Sequence, residues 1–112
     1  MFNIFNKSAK PNFVYNQSVI ISILFDESDS MFYKKIYDFE KKLSNYLVKD
    51  SGIDGHEFGE SECTIYVYGS SADGIWEGIK KFVKEAEFDH VDITLQYGLP
   101  DDTKTKDKKF TI

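Results

Sequence analysis

The sequence predicts an α+β domain, with two helices on one face of an antiparallel sheet. Three observations predict it. Segments at 18–25, 63–68 and 91–97 are apolar or alternate with a period of two, the spacing of a strand. Two longer stretches, 32–47 and 72–86, repeat apolar residues every three or four positions, the spacing of an amphipathic helix. A polar turn cluster, Gly59-Glu60-Ser61-Glu62, joins two strands with no room for a crossover, which makes them a hairpin.

The elements follow in order. Residues 1–17 read as an N-terminal arm, and a single domain occupies 18–112. Ser18 to Phe25 is apolar on both strand faces, the mark of a central strand. Asp26 to Ser30 is rich in residues that cap helices. The stripe Phe32, Ile36, Phe39, Leu43 and Leu47 predicts a helix to about Lys49, stopped by Ser51-Gly52. Ile53 to Gly59 reads as a short, irregular strand, and Cys63 to Tyr68 as its hairpin mate. Ala72, Ile75, Trp76, Ile79, Phe82, Val83 and Ala86 define the inner face of the second helix. Val91 to Tyr97 alternates as a strand, Gly98 to Lys106 is a polar loop, and Lys108 to Ile112 can add a short last strand.

This order is βαββαβ plus a short C-terminal strand, the split βαβ or ferredoxin-like plan. That plan sets the strands in spatial order 4-1-3-2, with the last strand expected beside Val91–Tyr97. Alternation then puts Cys63, Ile65 and Val67 on one face, and Thr64, Tyr66 and Tyr68 on the other.

Charge narrows the function. The chain has 112 residues, a net charge of -5, 41% hydrophobic and 16% aromatic residues. It is too apolar for a disordered chain and long enough to bury a core. All 14 basic residues are lysines. Between Lys49 and Lys80 lie Asp50, Asp54, Glu57, Glu60, Glu62, Asp73 and Glu77, with no positive charge among them. A concentrated negative surface attracts basic partners and repels phosphate, and a chain without guanidinium lacks the fork that grips phosphate. Lys104, Lys106, Lys108 and Lys109 form the only basic cluster, which reads as a solvated tail. Nucleic acid is therefore not an expected partner. No stretch reaches the roughly 20 apolar residues of a membrane helix, and the start is a poor signal peptide. With one cysteine no internal disulfide forms. A cytoplasmic location is expected.

Residues with chemical potential each have a structural reading. Alternation puts Asp54 and His56 on one face and Glu57 on the other; His90 and Asp92 form a similar pair. In the 4-1-3-2 order the two pairs sit three strand spacings apart, roughly 14 Å, too far to share a metal ion. Asp54-Gly55 reads as turn chemistry and His56 as an exposed or capping residue. Cys63 reads as a buried thiol whose neighbours Glu60 and Glu62 oppose ionisation. Trp76 reads as core. Gly69 and Gly98 read as tight exits from strands. No nucleotide-binding glycine pattern is present. Tyr66 and Tyr68 stand out: on the open face, with Ile20 and Leu24, they would form an amphipathic aromatic patch of the kind that marks a partner site.

The stretch 53–98, about two-fifths of the chain, carries DGHEFG, TIYVYG, ADGIWEGIK and ITLQYG. It resembles small bacterial ferredoxin-like proteins of unknown role. By type the chain also resembles the immunity proteins of bacterial toxin–immunity systems, small acidic domains that neutralise a cognate toxin. The resemblance implies a toxin domain as partner and no activity of its own. Iron–sulfur ferredoxins need several cysteine ligands, and the related metallochaperones and acylphosphatases need a cysteine pair and an arginine cradle. None of these is present.

The expected function is thus a non-enzymatic, protein-binding immunity protein or inhibitor, with no cofactor and no metal. Asp54, Glu57, Glu60, Glu62, Asp73 and Glu77 would engage a basic protein partner, with Tyr66 and Tyr68 as anchors. The alternative is a small-molecule-sensing or regulatory ferredoxin-like domain acting as a homodimer. An enzyme using His56 or His90 ranks last.

Overall fold

The computed structural model describes residues 16–47, 51–98 and 107–112. The expectations for the arm at 1–15, for Asp50 and for the loop residues 99–106 lie outside it. Its elements are β1 (Gln17–Leu24), α1 (Phe32–Leu43), a 3-10 turn (Ser44–Tyr46), β2 (Ser51–Phe58), β3 (Glu62–Gly69), α2 (Ala72–Glu85), β4 (His90–Gln96) and β5 (Lys108–Thr111). The strands form one five-stranded sheet in the order β2-β3-β1-β4-β5, and every neighbouring pair is antiparallel. Counting only the first four strands, this reads 4-1-3-2, with β5 outside β4.

One face of the sheet is dry. Val19, Ile21 and Ile23 of β1, Cys63, Ile65 and Val67 of β3, and Val91, Ile93 and Leu95 of β4 are all buried. They share a single core with Phe32, Ile36, Phe39 and Leu43 of α1, and Ile75, Trp76, Ile79 and Val83 of α2. Each set recurs at its element's own period, so burial selects the register: a slip by one residue would put every one of these side chains on the wrong face. Both helices lie on this side. His56, opposite Ile65 in the register, bonds Glu40 of α1; Phe110 of β5 meets Trp76 of α2 edge-on at 5.4 Å.

Four local expectations are corrected. Gln17, assigned to the arm, begins β1, and its Oε1 accepts the N–H of Ala72 at 2.8 Å. The first strand therefore helps cap α2, alongside Ser71, whose hydroxyl accepts from Gly74 N–H at 3.0 Å. Helix α1 ends at Leu43 rather than near Lys49. Ser44 turns its hydroxyl back onto the Lys41 carbonyl at 2.8 Å, the competition that weakens helices at serine. The following 3-10 turn stacks Tyr46 on Phe82 at 4.6 Å. Third, Ser51-Gly52 is not a helix stop but the start of β2.

The fourth correction matters most. The β2–β3 register shifts between Ile53 and Gly55. A bulge admits one extra residue, Asp54, and so reverses which face each later side chain meets. Gly55 carries the distortion with φ of +147, a conformation that side-chain-bearing residues avoid. Gly55→Ala is therefore expected to cost about 1–3 kcal/mol in urea unfolding. Gly52 has ordinary φ and open space where a Cβ would stand, so Gly52→Ala should be neutral or slightly stabilising.

Candidate functional site

The wet face of the sheet, turned away from the helices and buried among the described residues only at Ser18, can be read row by row from the register. Tyr68 lies between Gly52 and Ser18. Tyr66 lies between Gly55 and Ile20, and the row continues to Thr94 and Lys109. Thr64 lies between Glu57 and Ser22, and that row continues to Asp92 and Thr111. The face is thus acidic at the β2 edge and mixed toward β4 and β5, where it carries Asp92 and Lys109. The two tyrosine rings stack nearly parallel, 11° apart, with centroids at 6.5 Å.

The bulge sorts the β2 side chains differently from simple alternation. Asp54 and Glu57 both border this face, and His56 turns under the sheet. Tyr66 donates its hydroxyl to Glu57 Oε1 at 2.8 Å. That bond, more than burial, raises the Tyr66 pKa. The Tyr68 pKa is raised first by burial, then by the charges of Asp54 and Glu57. Among the described residues Asp54 has no hydrogen bond or ion pair. It lines, with Gly52, Ile53 and Tyr68, a cavity of about 360 Å³.

Glu60 and Glu62 sit at the hairpin. Gly59 N–H donates to the Glu62 carbonyl at 2.7 Å and closes the turn, and Phe25 N–H donates to Ser61 O at 2.9 Å, tying the turn to the end of β1. Glu62 stands opposite Leu24 on the wet side.

Asp73 and Glu77 do not join this group. They lie on α2, across the sheet, around a hollow lined by Trp76, Leu95, Lys108 and Phe110. Both are engaged within the chain: Tyr97 donates to Asp73 Oδ1 at 2.7 Å, and Lys80 pairs with Glu77 at 3.0 Å. The eight candidate residues therefore divide. Asp54, Glu57, Glu60, Glu62, Tyr66 and Tyr68 share one face and its hairpin end, whereas Asp73 and Glu77 belong to another surface.

His56 is neither exposed nor capping. Its Nδ1 sits 2.9 Å from Glu40 Oε2, and both side chains are 19% exposed. Its ring meets Tyr37 and Phe58 edge-on at 5.3 and 5.0 Å. His90 stays near Asp92, at 3.3 Å. The Asp92 carboxyl is held below its usual range, chiefly by the Thr111 hydroxyl and then by His90. Among the described residues no group of three or more His, Cys, Asp or Glu could hold a metal.

Cys63 is fully buried. Its thiol is pushed up to about 12, first by burial and then by the charges of Glu40 and Glu62; Glu40, not Glu60, is the second carboxylate. The folded thiol thus titrates above the unfolded one. Stability from this group is intact below about pH 9 and falls as pH rises toward 12. At pH 8 a thiol reagent should label Cys63 only after urea unfolding; fast labelling of the native protein would contradict its burial.

Sequence reasoning missed one feature, the aromatic cluster beside the edge strand. Tyr33 and Tyr37 are 48% and 54% exposed on α1, and Tyr33 lies 4.7 Å from Phe58. The signal was present as two tyrosines one turn apart, each just after a stripe residue, Phe32 or Ile36. Such a pair borders the buried stripe and can reach the neighbouring strand.

The chain matches no family model, and no curated protein or solved structure matches it either. Among the described residues no helix is long and apolar enough to cross a membrane.

Proposed function

We propose that this chain is a non-enzymatic, ferredoxin-like protein-binding domain that engages a basic protein partner, in the manner of an immunity protein neutralising a toxin domain. One observation carries the reading. Two stacked, half-buried tyrosines stand on the face of the sheet away from the described helices, and the carboxylates of Asp54 and Glu57 border them. Aromatic residues bring large contact area at little entropic cost, and tyrosine is enriched at binding hot spots. Carboxylates around them speed encounter with a basic surface and select against acidic ones. Glu60 and Glu62 extend the negative rim to the hairpin end.

Cys63 and the two histidines favour no catalytic alternative. The thiol is buried and resists ionisation. Each imidazole is held by a carboxylate, His56 by Glu40 and His90 by Asp92.

The experiment is co-expression with the product of the adjacent gene, followed by co-purification and a salt series. A stable complex whose affinity falls steeply with salt supports the reading. The absence of a complex at low salt, or binding indifferent to salt, overturns it.

A further inference from the structure

We infer that the notch beside Tyr68 is a receptor for one arginine side chain of the partner. This deepens the proposed function and rests on it.

The notch is built by what β2 omits. Opposite the two open-face tyrosines of β3 stand two glycines, Gly52 across from Tyr68 and Gly55 across from Tyr66. At both, the space that a Cβ would enter is open to at least 4 Å. An edge strand with side chains there would cover the tyrosine rings. Here stands a cavity of about 360 Å³, lined among the described residues by Gly52, Ile53, Asp54 and Tyr68. Its walls differ in chemistry. On one side is the Tyr68 ring, which stacks on Tyr66. On the other is the carboxylate of Asp54, carried there by the bulge and unpartnered among the described residues. Glu57 lies beyond it, fixed by the Tyr66 hydroxyl.

This combination selects for arginine. A guanidinium is flat, stacks on a tyrosine face, and presents parallel N–H groups to a carboxylate. It is also weakly hydrated, so entering a half-enclosed site costs it less than it costs an ammonium. Lysine would satisfy the charge without the stacking. This chain contains no arginine of its own, so no second copy can supply the group.

The test titrates the whole protein with three blocked amino acids, Nα-acetyl-arginine amide and its lysine and citrulline counterparts, and follows backbone amide signals by NMR. Arginine should give saturable shifts centred on Gly52, Asp54, Gly55 and Tyr68. It should bind about two- to fivefold tighter than lysine, the ratio expected from one exposed cation–π contact, and citrulline should give no saturable shifts.

Gly52→Val fills the notch and keeps every carboxylate. It should leave the melting temperature unchanged or raised and weaken arginine binding at least tenfold. Equal, non-saturating shifts for arginine and lysine, or undiminished arginine binding by Gly52→Val, overturn the notch. The acidic-face reading fails separately, if the co-purified partner binds with no dependence on salt.

Discussion

Trp76→Ala should lose about 3–5 kcal/mol of stability, the range for deleting a large buried aromatic ring. Trp76 is 8% exposed and meets Phe110 edge-on at 5.4 Å, so the substitution leaves a cavity under β5 as well as under α2. A domain of this size holds only about 5–15 kcal/mol in total, and the variant should be partly unfolded at 37 °C. Trp76→Phe keeps most of the volume and should cost much less. Urea unfolding followed by far-ultraviolet circular dichroism measures both without relying on the missing indole. If Trp76→Ala unfolds like the parent, Trp76 is not core.

The second large effect concerns binding. Asp54→Lys with Glu57→Lys should weaken the complex with the basic partner by about a hundredfold, since like charges facing each other across an interface cost several kcal/mol. Glu57→Lys also removes the acceptor that fixes the Tyr66 hydroxyl. By contrast, Glu60→Lys with Glu62→Lys alters exposed positions at the hairpin end. It should mainly slow association and flatten the salt dependence, because rim charges act on encounter more than on the bound state. Stopped-flow association and surface dissociation rates separate the two pairs. Unchanged affinity and salt dependence in both pairs would remove the acidic face from the contact.

Much of the fold could be read from period alone. Residues such as Ile21, Ile65 and Ile93 recur every second position because one sheet face is buried, and Ile75, Ile79 and Val83 recur at helical spacing for the same reason on α2. Tyr66 and Tyr68 were placed on the face away from the helices by the same alternation. Where the reading failed, the deciding interaction was distant in sequence or depended on one backbone angle. The end of α1 turns on a serine back-bond and on Tyr46 finding Phe82, thirty-six residues later. Gln17 joins the fold by capping a helix fifty-five residues away.

The candidate site depended on Gly55. Strict alternation joined Asp54 to His56 and separated it from Glu57. The bulge does the reverse, bringing both carboxylates to the tyrosines and sending His56 to Glu40. No residue type announces a bulge; Gly permits one, and the pairing partner decides. Grouping Asp73 and Glu77 with the hairpin acids failed for a related reason: nearness along the chain said nothing about which side of the sheet α2 covers.

The most direct measurement is a hydrogen-exchange footprint of the protein bound to its co-purifying partner. Complex formation should slow exchange at 51–57 and 64–68, the β2 edge and the tyrosine strand, and leave the outer surfaces of α1 and α2 unchanged. Protection confined to the groove between the helices, around Lys42, Tyr46 and Phe82, with β2 and β3 unaffected, would contradict the account.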